Sequence, residues 1–372
     1  MKTTHVLPLL VLALSGCGAE DPCPKTSGTL CNYMGTGFAG LGAEGKPRLE
    51  TPLYLPQDLT LGPDGRVWVL DWNNHRVRVV KPDDTVETVI GTGELGDATE
   101  DHAHHIGLNH PTHVAFDSQG RLILSAWHNS KVMRMDVGTG EMETIAGTGK
   151  RSFGGDGGPA VAAILDLPVA TAFGPDGSMY IADQANQRVR RVDTGGVITT
   201  VVGTGQAGFG GDEGPALEAK LQGPGGQAAS PSGKIATDAQ GNLYIADSGN
   251  QRVRKVTPSG VITTVAGSGA EEGDIGEGVP AVRARLARPT DVAVGADGSL
   301  YIADTDHSCV RKVTPDGLIH TVAGVCGQSG NTGDTGPATS ALLARPFGIE
   351  VGKDGTLYIA DTYNHRIRVV RP

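Results

Sequence analysis

The chain repeats itself. The segment Gly241-Asn242-Leu243-Tyr244-Ile245-Ala246-Asp247 recurs around Asp71, Asp183, Asp304 and Asp361, and a degenerate copy carries Ala126 in the aspartate place. The spacings are 55, 57, 64, 57 and 57 residues, so six copies occupy most of the 372 residues. A proline stands 15 residues before this position in five copies: Pro56, Pro111, Pro168, Pro289 and Pro346. The fourth copy has Ser232 there, and its extra length falls in the glycine-rich stretch near Gly223 to Ser230. A repeat of this period means units that bury their faces on one another. It overrides the two or three separate domains that length alone would suggest.

Each copy reads as four short strands. Strand a is of the type Asp291-Val292-Ala293-Val294, strand b Leu300-Tyr301-Ile302-Ala303, strand c Arg252-Val253-Arg254-Lys255-Val256 and strand d Ile262-Thr263-Thr264-Val265-Ala266. Turns such as Pro175-Asp176-Gly177 and Pro258-Ser259-Gly260 separate them, with glycine supplying the positive φ of a tight hairpin. Six four-stranded units predict an all-β, six-bladed propeller around a central channel. The last copy stops after strand c, at Arg366 to Pro372. The segment Leu30 to Gly37 resembles Thr263 to Gly269, so an N-terminal strand is expected to complete the last blade and cover an open edge.

The recurrent pattern Y-I-A-D-x-x-N-x-R-V-R-x-V resembles the NHL repeat over about residues 29–372. The loops Phe209 to Ala216 and Phe153 to Ala160 are similar to loops of bacterial NHL propellers and of the teneurin NHL domain. The resemblance implies a six-bladed β-propeller that binds proteins, RNA or other ligands, with enzymes a minority.

Ahead of the repeats, Lys2 and the apolar run Val6 to Leu14 read as a signal peptide. Leu14-Ser15-Gly16-Cys17 resembles a bacterial lipobox. The expected organisation is a lipoprotein signal peptide at 1–17 with Cys17 lipidated, a tether at 18–28 and a propeller at 29–372. Gly18 in place of an aspartate points to the outer rather than the inner membrane. The expected location is thus the bacterial cell envelope, through a lipid anchor. Export leaves Cys23, Cys31, Cys309 and Cys326 in an oxidising compartment, with three possible pairings. In the fifth copy His307 replaces the repeated Asn, Cys309 replaces the repeated Arg, and Cys326 follows in a loop on the same face. That coordinated change predicts Cys309–Cys326, which leaves Cys23–Cys31.

Net charge is −10 with histidine neutral, which removes the electrostatic reason to bind a phosphate backbone, so nucleic acid is not an expected partner. The repeated Asp, the Asn three residues on (Asn74, Asn186, Asn250, Asn364) and the Arg after it (Arg76, Arg188, Arg252, Arg366) are expected to be scaffold. Asp and Asn would satisfy the b–c turn while this Arg pairs with the Asp. Loops such as Gly155-Asp156-Gly157-Gly158-Pro159-Ala160 predict a short helix with Ala160 and Ala163 on one face. Asp156, Asp212 and Asp334 then serve turns and helix starts rather than calcium.

Function is sought where the copies differ. Copy two has Trp127 and His128 in its b–c loop, and His102, His104, His105, His110 and His113 before and at strand a. The d–a and b–c loops share one face, so His110, His113, Trp127 and His128 are expected near one another. Position Pro+2, at the channel mouth, holds Asp58, His113, Ala170, Lys234, Asp291 and Gly348. The candidate ligand-binding residues are therefore Asp58, His110, His113, Trp127, His128, Lys234 and Asp291. No nucleophile elbow, phosphate loop or HExxH-like motif occurs in the sequence. The expected function is that of a monomeric envelope scaffold binding a protein or glycan through this face, without a cofactor. The alternative is a zinc-dependent lyase or hydrolase with His113 and His128 as ligands and Asp58 or Asp291 as base.

Overall fold

A computed structural model of the chain describes residues 23–226 and 228–372. The signal peptide, Cys17 and the tether as far as residue 22 lie outside the described residues. Six antiparallel sheets stand in a ring. Strands a are Asp58–Leu61, His113–Phe116, Pro168–Phe173, Ile235–Thr237, Pro289–Val294 and Gly348–Val351. Each packs on strand a of the next blade, and the sixth packs on the first. Apolar side chains of b and c fill the gaps between neighbouring sheets, giving one cluster per junction. One holds Trp68, Leu70, Val77 and Val79 of blade 1 against Val114, Leu122 and Leu124 of blade 2. Strand b is buried at every residue in blades 1, 2, 4 and 5, because neighbouring sheets cover it on both faces.

The last blade closes with the first strand of the fold. Thr29–Met34 pairs antiparallel with Arg366–Val370, as Leu30↔Val370 through Met34↔Ile367. Cys23–Cys31 staples the residues before this strand to it, and Cys309–Cys326 bridges blade 5 to the loop that follows.

The loops between blades do more than connect. Each leaves strand d on the face of the b–c turns and then runs out to the edge of the next blade. There a proline pairs beside that blade's strand d: Pro47↔Thr85, Pro159↔Val197, Pro215↔Val261, Pro280↔Leu318 and Pro337↔Thr29. Proline suits an edge because it asks for no further partner. The expected short helix is a single 3₁₀ turn, such as Ala160–Ala162, with Pro159 before it. Ala160 and Ala163 are buried together.

The acid in each loop explains why the excursion holds. Arg190 in strand c is fully buried and lies between Asp183 of strand b (3.4 Å) and Asp156 of the incoming loop (2.6 Å). Arg254 is placed likewise between Asp247 (3.3 Å) and Asp212 (2.6 Å), and Arg368 between Asp361 (3.4 Å) and Asp334 (2.7 Å). Glu44 and Glu277 take the acid's place beside Arg78 and Arg311. This corrects the expected pairing. The arginine that meets the repeated Asp is the one seven residues on, deep in the sheet. The Arg five residues on sits at the rim and donates to loop carbonyls, as Arg188 does to Thr204 O at 2.8 Å. Asp and Asn serve as expected and reach further than one turn: Asp183 accepts the amides of Asp166 (2.8 Å) and Asn186 (2.8 Å). In blade 5 His307 takes the Asn role, 2.8 Å from Asp304.

One glycine per blade is sterically required. Gly203 follows strand d with φ 94°, and a Cβ there would lie 2.3 Å from the Gln187 carbonyl oxygen.

Candidate functional site

Channel-facing positions follow from strand a having a period of two. The first ring, Pro+2, is Asp58, His113, Ala170, Lys234, Asp291 and Gly348. Its charges meet. Lys234 Nζ donates to Asp58 (2.6 Å), Asp291 (3.3 Å) and the Gln57 carbonyl (3.2 Å). His113 Nδ1 lies 2.7 Å from Asp58. Asp58 also accepts the Val114 amide, and Asp291 the Val292 and Ile349 amides. Asp58, Lys234 and Asp291 are buried. Burial opposes every one of these charges. Lys234 with His113 nevertheless holds the Asp58 carboxyl below its ordinary range, and Asp291 with Asp58 holds the ammonium above its own. Burial wins at Asp291, where the like charge of Asp58 adds to it and the carboxyl is pushed up. The ring is a mutually paired plug at the channel mouth.

The second ring, Pro+4, was not among the sequence candidates. It consists of Thr60, Ala115, Ala172, Ala236, Ala293 and Glu350, and the same spacing rule that found the first ring finds it. It lines a cavity of about 370 Å³ that runs along strands a. Strand a residues are mostly buried at the plugged end and half-buried at the other, so the cavity opens on the face of the a–b turns. Glu350 is the one acid of that ring. Burial, then the like charges of Asp58 and Asp291, push its carboxyl up to about 8 against the pull of Lys234.

The opposite, loop-bearing face carries a band of rings. Trp72 and His110 lie 4.7 Å apart, His75 and His110 4.6 Å, His110 and His128 5.2 Å, and His128 stacks on Trp127 at 4.2 Å. The Asn109 amide oxygen accepts from His110 Nδ1 at 2.8 Å and from His128 Nδ1 at 3.4 Å. Burial, then the neighbouring His110, pushes His75 and His128 down to about 4, so both are neutral at pH 7. Burial lowers His110 as well. The band continues through blade 1 and blade 6. The Tyr54 carbonyl accepts the Asn73 amide, Tyr54 meets His365, and Tyr363 stacks with Phe347. Arg288 and Arg345 grip Asp306 at 3.1 and 2.9 Å and lie over Phe347 and Tyr363. Beside Arg288 and Asp306 on the same face, the blade 4 insertion is pinned by Gln184 and Gln187. Those residues reach Pro224, Ser230 and Gly223, and the insertion helps wall a pocket of about 480 Å³.

The expected grouping in blade 2 therefore divides. His110, Trp127 and His128 come together. His113 belongs to the plug. Trp127 is 1% exposed and packs on Leu167, Val169 and Ala170, so it supports His128 rather than presenting itself. His102, His104 and His105 are not on this face at all. Ala103 donates to Gly140 O as Ala160 does to Gly196 O, so His102-Ala103 is the worn copy of the Pro-Ala edge pair. Among the described residues no three His, Cys, Asp or Glu side chains are grouped to share a metal ion. Blade 2 also lacks the buried ion pair as a unit, with Ala126 for the Asp and Met133 for the Arg.

Comparison with known proteins matches this geometry. A model of the teneurin NHL domain matches residues 40–209 and 269–331, and an NHL repeat model matches residues 343–370. Teneurin-3 of Mus musculus is 31% identical over 352 residues, covering 86% of this chain and 12% of that protein. The chain thus spans about an eighth of the length of the curated relatives it matches. Among solved structures, a Bacteroides thetaiotaomicron protein of unknown function superposes with a TM-score of 0.67 at 19% identity. That match covers 92% of this chain and 75% of the other. An auxiliary nutrient binding protein from Bacteroides ovatus gives 0.63 at 16% identity, covering 92% and 76%. Ring closure, repeat and loops agree: the chain belongs to the teneurin NHL domain family of six-bladed β-propellers.

Proposed function

We propose that this propeller is a binding or scaffold protein of the bacterial cell envelope, lipid-anchored through Cys17, that engages a protein or glycan through its loop face. The observation that carries the reading is the ring band from Arg288 through Tyr363 and Tyr54 to His110. Tyrosine, tryptophan and arginine dominate binding hot spots because they bury large rigid surfaces and keep a polar tip. Tyr363 is 49% exposed and Tyr54 37%, on a face otherwise built from turns. The description of a similarly folded solved structure as a nutrient binding protein is consistent with a ligand-binding role.

The clasp supports the orientation. Gly28 donates to Arg371 O at the end of strand c, so the chain enters on the face opposite the loops. Cys23 is six positions on from Cys17, a reach of at most about 20 Å. A lipidated Cys17 would hold that opposite face toward the membrane and turn the loops outward.

The test is quantitative binding to an immobilised glycan panel and to envelope extracts followed by crosslinking. Tyr363→Ala and Tyr54→Ala should each weaken capture by about tenfold. Arg191→Ala, on the other face, should leave it unchanged. Capture unaltered by either tyrosine variant overturns the loop-face reading. Cys17→Ser should move the protein from the membrane to the soluble fraction, and retention there overturns the anchor.

A further inference from the structure

We propose that the channel below the plug binds a small organic cation, an alkylammonium or guanidinium, with Glu350 as its counter-ion. The inference is independent of the loop face and uses the other end of the ring.

Five of the six second-ring side chains are Thr60 or alanine, and one is a glutamate. A channel that needed only to be narrow or empty would be served by a sixth small residue. Among the acids at the channel, Asp58 and Asp291 each have backbone amides and Lys234, whereas no hydrogen-bond donor among the described residues reaches Glu350. A carboxylate held in a channel without a donor from the protein is open to a donor brought by a ligand.

Charge selects the ligand. At the closed end Asp58 and Asp291 are set against Lys234 and His113, so Glu350 is the charge that gives the cavity its preference for a cation over an anion. A bare metal ion does not suit it. Calcium takes six to eight oxygens and zinc about four ligands, while this wall offers one free carboxylate among alanines. A carbon skeleton lying along the alanines with its charged end on Glu350 uses both features. The volume, about 370 Å³, falls at the lower end of the usual range for small-molecule sites.

The groups facing Glu350 are Asp58 from blade 1, His113 from blade 2, Lys234 from blade 4 and Asp291 from blade 5. Blade 3 contributes only Ala170 and Ala172. Because burial and the two aspartates keep the Glu350 proton on to about 8, a cation must displace that proton near neutrality. Binding should therefore release a proton and strengthen by roughly tenfold between about pH 7 and about pH 9.

The experiment is isothermal titration calorimetry of the full chain with n-butylammonium, butylguanidinium and choline. Butyrate and 1-butanol serve as anionic and neutral controls, and buffers of different ionisation enthalpy count the proton. The expected result is binding of at least one cation, absent for both controls. Glu350→Gln should lose about tenfold in affinity and all proton release. Glu350→Ala recreates the residue four other blades carry and should fold as the wild type does, checked by circular dichroism. No binding of any of the three cations at about pH 9, or equal binding by wild type and both Glu350 variants, overturns the proposal.

Discussion

Arg190 shows how one buried charge ties three segments together. Its guanidinium is 0% exposed and meets acids from strand b and from the loop arriving from the blade before. Removing the arginine alone strands Asp183, which burial already pushes up to about 6. Arg190→Met should therefore cost about 3–5 kcal/mol in urea unfolding. Asp183→Ala with Arg190→Met should cost clearly less than the sum of the singles. Blade 2 has made that exchange itself, with Ala126 and Met133 inside an intact sheet. Additive losses would mean the pair is not coupled. Sequence spacing identified the acid correctly but paired it with the arginine five residues on. Both arginines share one side of strand c, and only the packed structure tells which of them lies inside.

At the scale of the element, the loop after blade 5 is held by a bond where four other blades have an arginine and blade 2 has Lys131. Cys309 stands in the rim position of Arg188 and Arg252, and its bridge to Cys326 closes a separation of 17 residues. Cys309→Ser with Cys326→Ser should lose about 3 kcal/mol of stability under non-reducing conditions. Cys309→Arg with Cys326→Ala should recover part of it by restoring the donor to the loop carbonyls. Denaturant midpoints measure both, and a serine variant as stable as the wild type would refute the role. This bridge was legible because two substitutions occur together in one copy of an otherwise regular repeat. The strands, turns and first channel ring were legible for the same reason. The outward run of the loops was not, because what pairs with Pro159 lies in another blade at Val197 and leaves no local signature. The same blindness grouped His113 with His110 and His128, when its side chain lies against Asp58 in the channel ring.

The whole molecule depends on its closure. Strand Thr29–Met34 supplies the outer strand of blade 6, and Pro337 then covers that strand in turn. Deleting residues 1–34 should expose the hydrogen-bonding edge of Arg366–Val370, lower the thermal midpoint and produce concentration-dependent self-association, read by light scattering. A truncated protein that melts like the wild type and stays monodisperse would show that the closure carries no load. Closure also sets a timetable. Leu30 finds Val370, about 340 residues later, so the earliest strand to be made waits unpaired until the rest has been synthesised. Meanwhile every completed blade offers a similar strand c to a strand that resembles all their partners. Correct assembly therefore depends on each earlier blade filling its own outer place promptly, so that the only vacancy remaining when synthesis ends is the one the waiting strand fits.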